Sequence, residues 1–248
     1  MASTNSMSSD TSLPGHGPVP RSSFIAPTLG LAAGLDPACL EGLQALMSER
    51  RPIARGAALF RQGDPLSALY EVHAGLFKTC LSDEQGRSQV TGFHMSGDLL
   101  GLDGIGADQH GADAVALEDA LVCVIPFERL GALFREFAPL QHEFHRIMSR
   151  EIMRDQNMML VLGTLPAEGR VAAFVLDLTE RLHARGFSAS SLLLRMTREE
   201  IGSYLGLQLE TVSRTFSKLQ QQGLLDIHNR EVRVKDPEAL RRLVHGAG

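Results

Sequence analysis

Cysteine is scarce: Cys39, Cys80 and Cys123 are the only three in 248 residues, and they are far apart. They form no CxxC pair, and no charged n-region followed by an apolar h-region precedes them. Reduced thiols in a cytoplasmic protein are expected. Also absent is any run near the ~18 apolar residues of a spanning helix, which predicts a soluble protein with no membrane partner. Common enzyme signatures are missing: there is no P-loop, no GxSxG elbow, no Cys-His nucleophile constellation and no HExxH metal helix. A non-enzyme is expected. Nor is positive charge in excess. The formal net charge of −5 excludes a generally basic nucleic-acid coat protein. The charge is unevenly spread, however, with 12 Lys and Arg against 10 Asp and Glu from Ala167 onward and 12 against 19 in the rest. The C-terminal third is the part electrostatically fit to approach phosphates.

Hydrophobic residues make up 44% of the chain, enough to fill a real core. Residues 1–28 are rich in Ser, Pro and Gly and are expected to be a disordered N-terminal segment. A short amphipathic helix should start at Asp36, with Pro37 in its first turn. From Pro52 to Pro126, apolar runs alternate with turn residues, and strands are predicted over 58–60, 68–73, 76–81, 88–94 and 120–125. Their spacing suits a small β-barrel or jelly roll within residues 29–138. Residues 139–165 read as one helix of nearly 40 Å at ~1.5 Å per residue, too long for a single small core. One apolar stripe runs through Leu140, Phe144, Ile147, Met158, Val161 and Leu165. The other holds Met148, Ile152, Met159 and Leu162, and counting Asp155 gives it the four-three steps of a two-stranded coiled coil. The first stripe should cover the barrel and the second a twin helix, making a homodimer. Two Asp155 carboxylates would then face each other, and the flanking Glu151 and Gln156 supply no cation.

Residues 166–248 open on a hinge at Pro166 and a helix from Arg170. Thr197 followed by Glu200 is a capping-box pattern that starts a further helix. This helix stops at Gly206, and after a three-residue turn a second amphipathic helix runs from Leu209 to about Gln222, closed by Gly223. Strands over 224–227 and 231–234 flank His228-Asn229-Arg230 as a wing. In the second helix Val212, Phe216 and Leu219 share the inward face, leaving Glu210, Ser213, Arg214, Ser217 and Lys218 outward, with Thr211 beside them. Arg can bridge guanine O6 and N7, Glu can accept from cytosine N4, and Ser can serve a base edge or a phosphate. A double-stranded DNA reader is expected.

Glu210-Thr-Val-Ser-Arg214, set within Met196-Thr-Arg-Glu-Glu-Ile-Gly-Ser-Tyr-Leu-Gly-Leu207, resembles the CRP/FNR superfamily, and its FNR-type branch in particular. The resemblance continues through Gly92-Phe-His-Met-Ser-Gly-Asp98, Leu121-Val-Cys-Val-Ile-Pro-Phe127 and Glu151-Ile-Met-Arg-Asp-Gln-Asn157, covering about residues 52–243. It implies an α+β protein: a cyclic-nucleotide-binding-like barrel, a long dimerisation helix and a C-terminal winged helix-turn-helix. It further implies a transcription regulator, activating or dual, that binds inverted TTGAT and ATCAA half-sites. RNA polymerase follows as a partner, with barrel loops such as Asp83 to Arg87 as the contact. Two departures bear on the effector. Cyclic-AMP-binding members carry a Gly-Glu turn followed by an Arg-Ser or Arg-Thr pair, but Gly97-Asp98-Leu99 is followed by no Arg through Gly111. Cyclic AMP is therefore not expected. Oxygen-sensing members hold a [4Fe-4S] cluster on four thiolates; Cys123 stands at the barrel position, but Gly30 replaces the third N-terminal Cys and no Cys precedes Cys39. A conventional cluster is not expected, Cys123 reads as a buried structural thiol, and the cofactor stays unassigned with no metal ligand named. Two alternatives remain open, a haem- or nitric-oxide-sensing regulator of the same family and a cupin-like metal-binding barrel using His73, His94 and His110.

Overall fold

The computed structural model describes residues 36–246, so the segment 1–28 and Gly30 lie outside the described residues. Helix α1 (Pro37–Leu46) follows Asp36, whose carboxylate accepts a hydrogen bond from the Ala38 N–H at 2.8 Å. Pro37 fits at its start because the first helical N–H has no partner to lose. Eight strands follow: β1 (Arg50–Ile53), β2 (Ala58–Phe60), β3 (Ala68–Ala74), β4 (Leu76–Ser82), β5 (Ser88–Met95), β6 (Leu99–Leu100), β7 (Asp113–Ala116) and β8 (Ala120–Pro126). They form two antiparallel sheets, ordered β1-β8-β3-β6 and β2-β7-β4-β5. The five strands expected from alternation are present within a residue of their expected ends. Strands β1, β6 and β7 escaped that reading for local reasons. Pro52 interrupts β1, tolerable on an edge strand, β6 has two residues, and β7 is Asp-Ala-Val-Ala.

Alternation sends side chains of both sheets into one interior filled by Phe60, Tyr70, Val72, Phe77, Leu100, Val122 and Val124. The Phe60 ring stacks on His110 at 3.7 Å between centroids. The outer faces are apolar too, and each is covered. Leu69, Leu99, Cys123 and Ile125 pack under α1, α2 (Phe127–Glu136) and the first half of α3 (Ala138–Thr164), through Leu140, Phe144 and Ile147. On the other sheet Leu76, Cys80, Val90, Phe93 and Met95 share a core with the C-terminal region.

The second half of α3 leaves the barrel. Met148 turns inward onto the barrel cluster, while Leu162 is half-buried, close to Gly206. Ile152, Asp155 and Met159 stay exposed, and Met153 and Leu160 join them at 51% and 62% exposure. The exposed apolar stripe is therefore centred near Gln156, with Asp155 at its flank. The seven-residue template assumes 3.5 residues per turn, whereas an unpaired helix turns every 3.6, and the barrel contacts fix where that stripe starts.

The C-terminal region comprises α4 (Ala167–Ala184), β9 (Ser191–Leu193), α5 (Arg198–Leu205), α6 (Leu209–Gln221), β10 (Leu225–His228), β11 (Glu231–Val234) and α7 (Pro237–His245). The wing is a three-stranded sheet, β10-β11-β9, rather than the two strands expected. Its tip is Asn229-Arg230, where Asn229 holds φ +58°, a conformation that Asn tolerates better than most residues. Among the described residues no helix is long and apolar enough to cross a membrane.

Candidate nucleic-acid interface

Helix α5 begins on a closed capping box. The Glu200 N–H donates to Thr197 Oγ1 at 3.1 Å, and the Thr197 N–H donates to Glu200 Oε2 at 2.7 Å. Helix α5 ends at Gly206, in the left-handed region at φ +62°. Between the helices the chain doubles back tightly: the Leu207 N–H donates to the Gly202 carbonyl at 2.9 Å. A Cβ on Gly202 would stand 2.5 Å from the Leu207 oxygen, so only glycine admits this approach. Arg170 of α4 braces the same turn from below, donating from Nη1 to the Leu205 carbonyl at 3.0 Å and from Nε to the Leu165 carbonyl at 2.9 Å. Neither Gly202 nor Arg170 was singled out from the sequence. The partners of Arg170 lie up to 35 residues away, and the Gly202 contact depends on the turn's path.

Helix α6 buries Val212, Thr215, Phe216 and Leu219. Arg198 of α5 lies over the Phe216 ring at 3.7 Å from its centroid, fixing one helix against the other. Of the six residues expected to meet DNA, Glu210, Arg214, Ser217 and Lys218 are exposed and Thr211 and Ser213 half-buried, all on one helix. Two are engaged internally. The Ser217 hydroxyl donates to the Ser213 carbonyl at 3.1 Å, and Lys218 pairs with Glu168 of α4. Arg214 and Glu210 therefore form the unencumbered long polar pair. Gln208, at the helix start, makes no side-chain cap, leaving the first N–H groups of α6 available to an anion.

This helix pair is not free-standing. Lys78 of β4 donates to Glu200 at 2.8 Å, and Ser203 Oγ accepts from the Val90 N–H of β5 at 2.9 Å. Phe93 packs edge-on to Tyr204 at 5.2 Å between centroids. Asp98, buried at 7% exposure, receives Arg181 of α4 at 2.5 Å and also Arg185, the residue that caps α4, while accepting from the Met95 N–H at 2.8 Å. Burial alone would raise this carboxyl's pKa, but the two guanidinium groups outweigh it and hold the value below the usual carboxylate range. The barrel turn that cyclic-nucleotide binders are expected to aim at a ligand is thus tied here to the DNA-reading unit.

The cysteines and histidines stand as follows. Cys39, Cys80 and Cys123 are all buried, with Cys39 on α1 and Cys80 on the sheet opposite Cys123. The donor group around Cys123 consists of Glu71 and His73 and contains no second thiol, so these residues do not fit a four-thiolate iron–sulfur cluster. His94 and His110 stand apart from His73: His94 meets Thr79 Oγ1 at 3.2 Å, and His110 stacks on Phe60. The three-histidine cupin site is not assembled.

Residues 169–243 match the family model of the Crp-like helix-turn-helix domain, and residues 50–137 match that of the cyclic nucleotide-binding domain. The chain is 46% identical to the transcriptional regulatory protein Btr of Bordetella pertussis, over 83% of this chain and 85% of that protein. It is 43% identical to the transcriptional activator protein Anr of Pseudomonas protegens, over 84% and 85%. The fumarate and nitrate reduction regulatory protein of Escherichia coli is 42% identical over 82% of each chain. Among solved structures, FixK2 from Bradyrhizobium japonicum superposes with a TM-score of 0.74 at 28% identity, over 81% of this chain and 98% of that one. A helix pair braced beneath a wing and docked on a two-sheet barrel, matched by relatives of this identity over most of its length, places the chain in the CRP/FNR family of transcription regulators.

Proposed function

We propose that this protein is a sequence-specific transcription regulator that binds an FNR-like inverted repeat as a homodimer, with α6 in the major groove. The observation that carries the reading is the outward pair Glu210 and Arg214 on a helix whose opposite face is fully buried. Relatives named as transcriptional activators support activation as its main output. On this reading Arg214 takes a guanine, Glu210 a cytosine amino group, and Ser213, Thr211, Ser217 and the α6 N-terminus the adjoining phosphates and base edges. Lys218 reaches a phosphate only after leaving Glu168. RNA polymerase is the partner for activation, with the Asp83–Arg87 loop as a contact; there the Asp83 carboxylate accepts from the Arg87 side chain at 2.6 Å.

Arg214→Ala is expected to cost about 1–3 kcal/mol per half-site and to relax the preference for G at one position. Gel-shift titrations against a duplex carrying TTGAT and ATCAA half-sites with centres about one helical turn apart, and against scrambled duplexes, measure both effects. Equal discrimination by wild type and variant would refute the assignment.

Dimerisation is assigned to the exposed stripe of α3, Ile152, Met153, Met159 and Leu160, which would pair with its copy about a two-fold axis. Along the seam step that runs through Ile152, Asp155 and Met159, all exposed, Asp155 opposes its counterpart. Though its surface is exposed, partial desolvation by the surrounding chain raises its carboxyl pKa, against the nearby Arg154. Asp155→Ala should tighten the dimer by roughly fivefold, about 1 kcal/mol of relieved repulsion at solvent-like dielectric. Sedimentation equilibrium at neutral pH checks this, and an unchanged dimer constant would reject it.

A further inference from the structure

Strands β3 and β8 run antiparallel, with Glu71 directly opposite Cys123. Both belong to the outer face of the first sheet, beneath α1 and α3, a face otherwise lined by Leu69, Leu99 and Ile125. A carboxylate on this face is unusual, and Glu71 is only 1% exposed. Its Oε1 atom has no hydrogen-bond partner among the described residues. Two residues further along β3, the register with β8 breaks between Val72 and Ala74, leaving His73 as the extra residue of a bulge. Bulges re-aim side chains, and His73 brings a ring nitrogen to the same place. One donor atom each from Glu71, His73 and Cys123 lie within 4.8 Å of one another.

We propose that Glu71, His73 and Cys123 form a binding site for a single divalent transition-metal ion of the zinc class. Thiolate, imidazole and carboxylate together are a donor set that zinc and cobalt take tetrahedrally, and three protein ligands leave the fourth corner open to water or a small ligand. Bonds of about 2.0–2.3 Å require the donors to close to roughly 3.5 Å apart, within the reach of side-chain rotation. On binding, the Cys123 S–H bond breaks, its proton passes to solvent and the sulfur–metal bond forms with no change of oxidation state. The thiolate and carboxylate then balance the ion's two charges, and the unpartnered Glu71 oxygen gains a partner. Arg50, opposite Cys123 on β1, is the competing cation, close enough to act on Cys123, Glu71 and His73, and because it is exposed an entering ion can displace it into water. His73, half-buried, marks the entry side.

The site is placed to be felt. Strand β8 runs straight into α2, and Cys123 shares its apolar cluster with Leu140, Phe144 and Ile147 of α3. Metal occupancy would thus bear on the helix that carries the exposed stripe, a consequence that rests on the regulator reading above.

Cobalt(II) chloride titrated anaerobically into the metal-free full-length protein is the test. The expected result is one cobalt per chain with thiolate-to-cobalt charge-transfer absorption and tetrahedral d–d bands, both bleached by zinc. Charge transfer should vanish in Cys123→Ser and persist in Cys80→Ser. Glu71→Gln and His73→Ala should each weaken binding at least tenfold, with circular dichroism showing all variants folded. No charge-transfer band under excess cobalt, or one that survives Cys123→Ser, overturns the site. So does affinity indifferent to both Glu71→Gln and His73→Ala, which means an adventitious ion only. Gel shifts with and without cobalt are read separately, so that failure to bind DNA counts against the regulator reading and leaves the metal result standing.

Discussion

Asp98→Ala is expected to lower the unfolding free energy by about 3–5 kcal/mol, because it strands two largely buried guanidinium groups without their shared anion. Arg181 also donates to the Phe93 carbonyl at 2.9 Å, and Arg185 donates to the Ser96 carbonyl at 2.6 Å, so neither can leave without breaking further bonds. The loss should be concentrated where barrel and C-terminal region meet. Hydrogen exchange is expected to show faster exchange in β5 and α4 before any change in β8, and urea unfolding supplies the total. A variant within about 1 kcal/mol of wild type would show that the triad does not hold the two parts together. The wild-type pH dependence has a definite sign. The Asp98 carboxyl titrates lower in the folded chain than when unfolded, so its stabilisation is complete above the unfolded value of about 4 and is lost as pH falls through the folded value. Wild type should lose stability in acid more steeply than Asp98→Asn, which has no carboxylate to protonate.

Gly202→Val should abolish specific DNA binding, by at least a hundredfold, while leaving the barrel folded. Its Cβ would meet the Leu207 carbonyl oxygen at 2.5 Å, a backbone atom that cannot swing aside like a side-chain tip. Either α5 or the turn must shift, at a cost of roughly 2–3 kcal/mol as in other overpacked sites. A shift in the turn tilts α6, and with it the bearing of Glu210 and Arg214. Gly131→Ala in α2 is the control, since a Cβ there meets nothing within 4 Å. That change should be neutral or stabilise by up to about 1 kcal/mol through helix propensity. Fluorescence anisotropy with a labelled operator duplex measures the first effect and thermal melting the second. Wild-type affinity in Gly202→Val would show that the turn is not positioned by this contact.

Much of the DNA-reading unit was legible because its signals are local. Thr197 and Glu200 cap α5 from within three residues, Gly206 and Gly223 take positive φ at the helix ends, and the spacing of Val212, Phe216 and Leu219 sets the buried face of α6. The same holds for Asp36 and Pro37 at the start of α1 and for five barrel strands set off as short apolar runs between turn residues. The long helix was legible as an element, since no Pro or Gly interrupts it between Leu140 and Leu162.

What the tertiary structure alone decided depends on partners distant in the chain. Asp98 meets arginines 83 and 87 residues away, and Lys78 meets a glutamate 122 away, so no window of sequence holds both members. The exposed stripe of α3 is fixed by how its first half seats on the barrel, and a rotation of less than one residue step moves Met148 inward and brings Met153 and Leu160 out. Glu71, His73 and Cys123 meet only because the β3–β8 register sets Glu71 opposite Cys123 and a bulge turns His73 toward them. Local pattern determines which elements form, through backbone propensity and the period of burial; which side chains meet is set by register and docking, whose energies come from the whole packed chain.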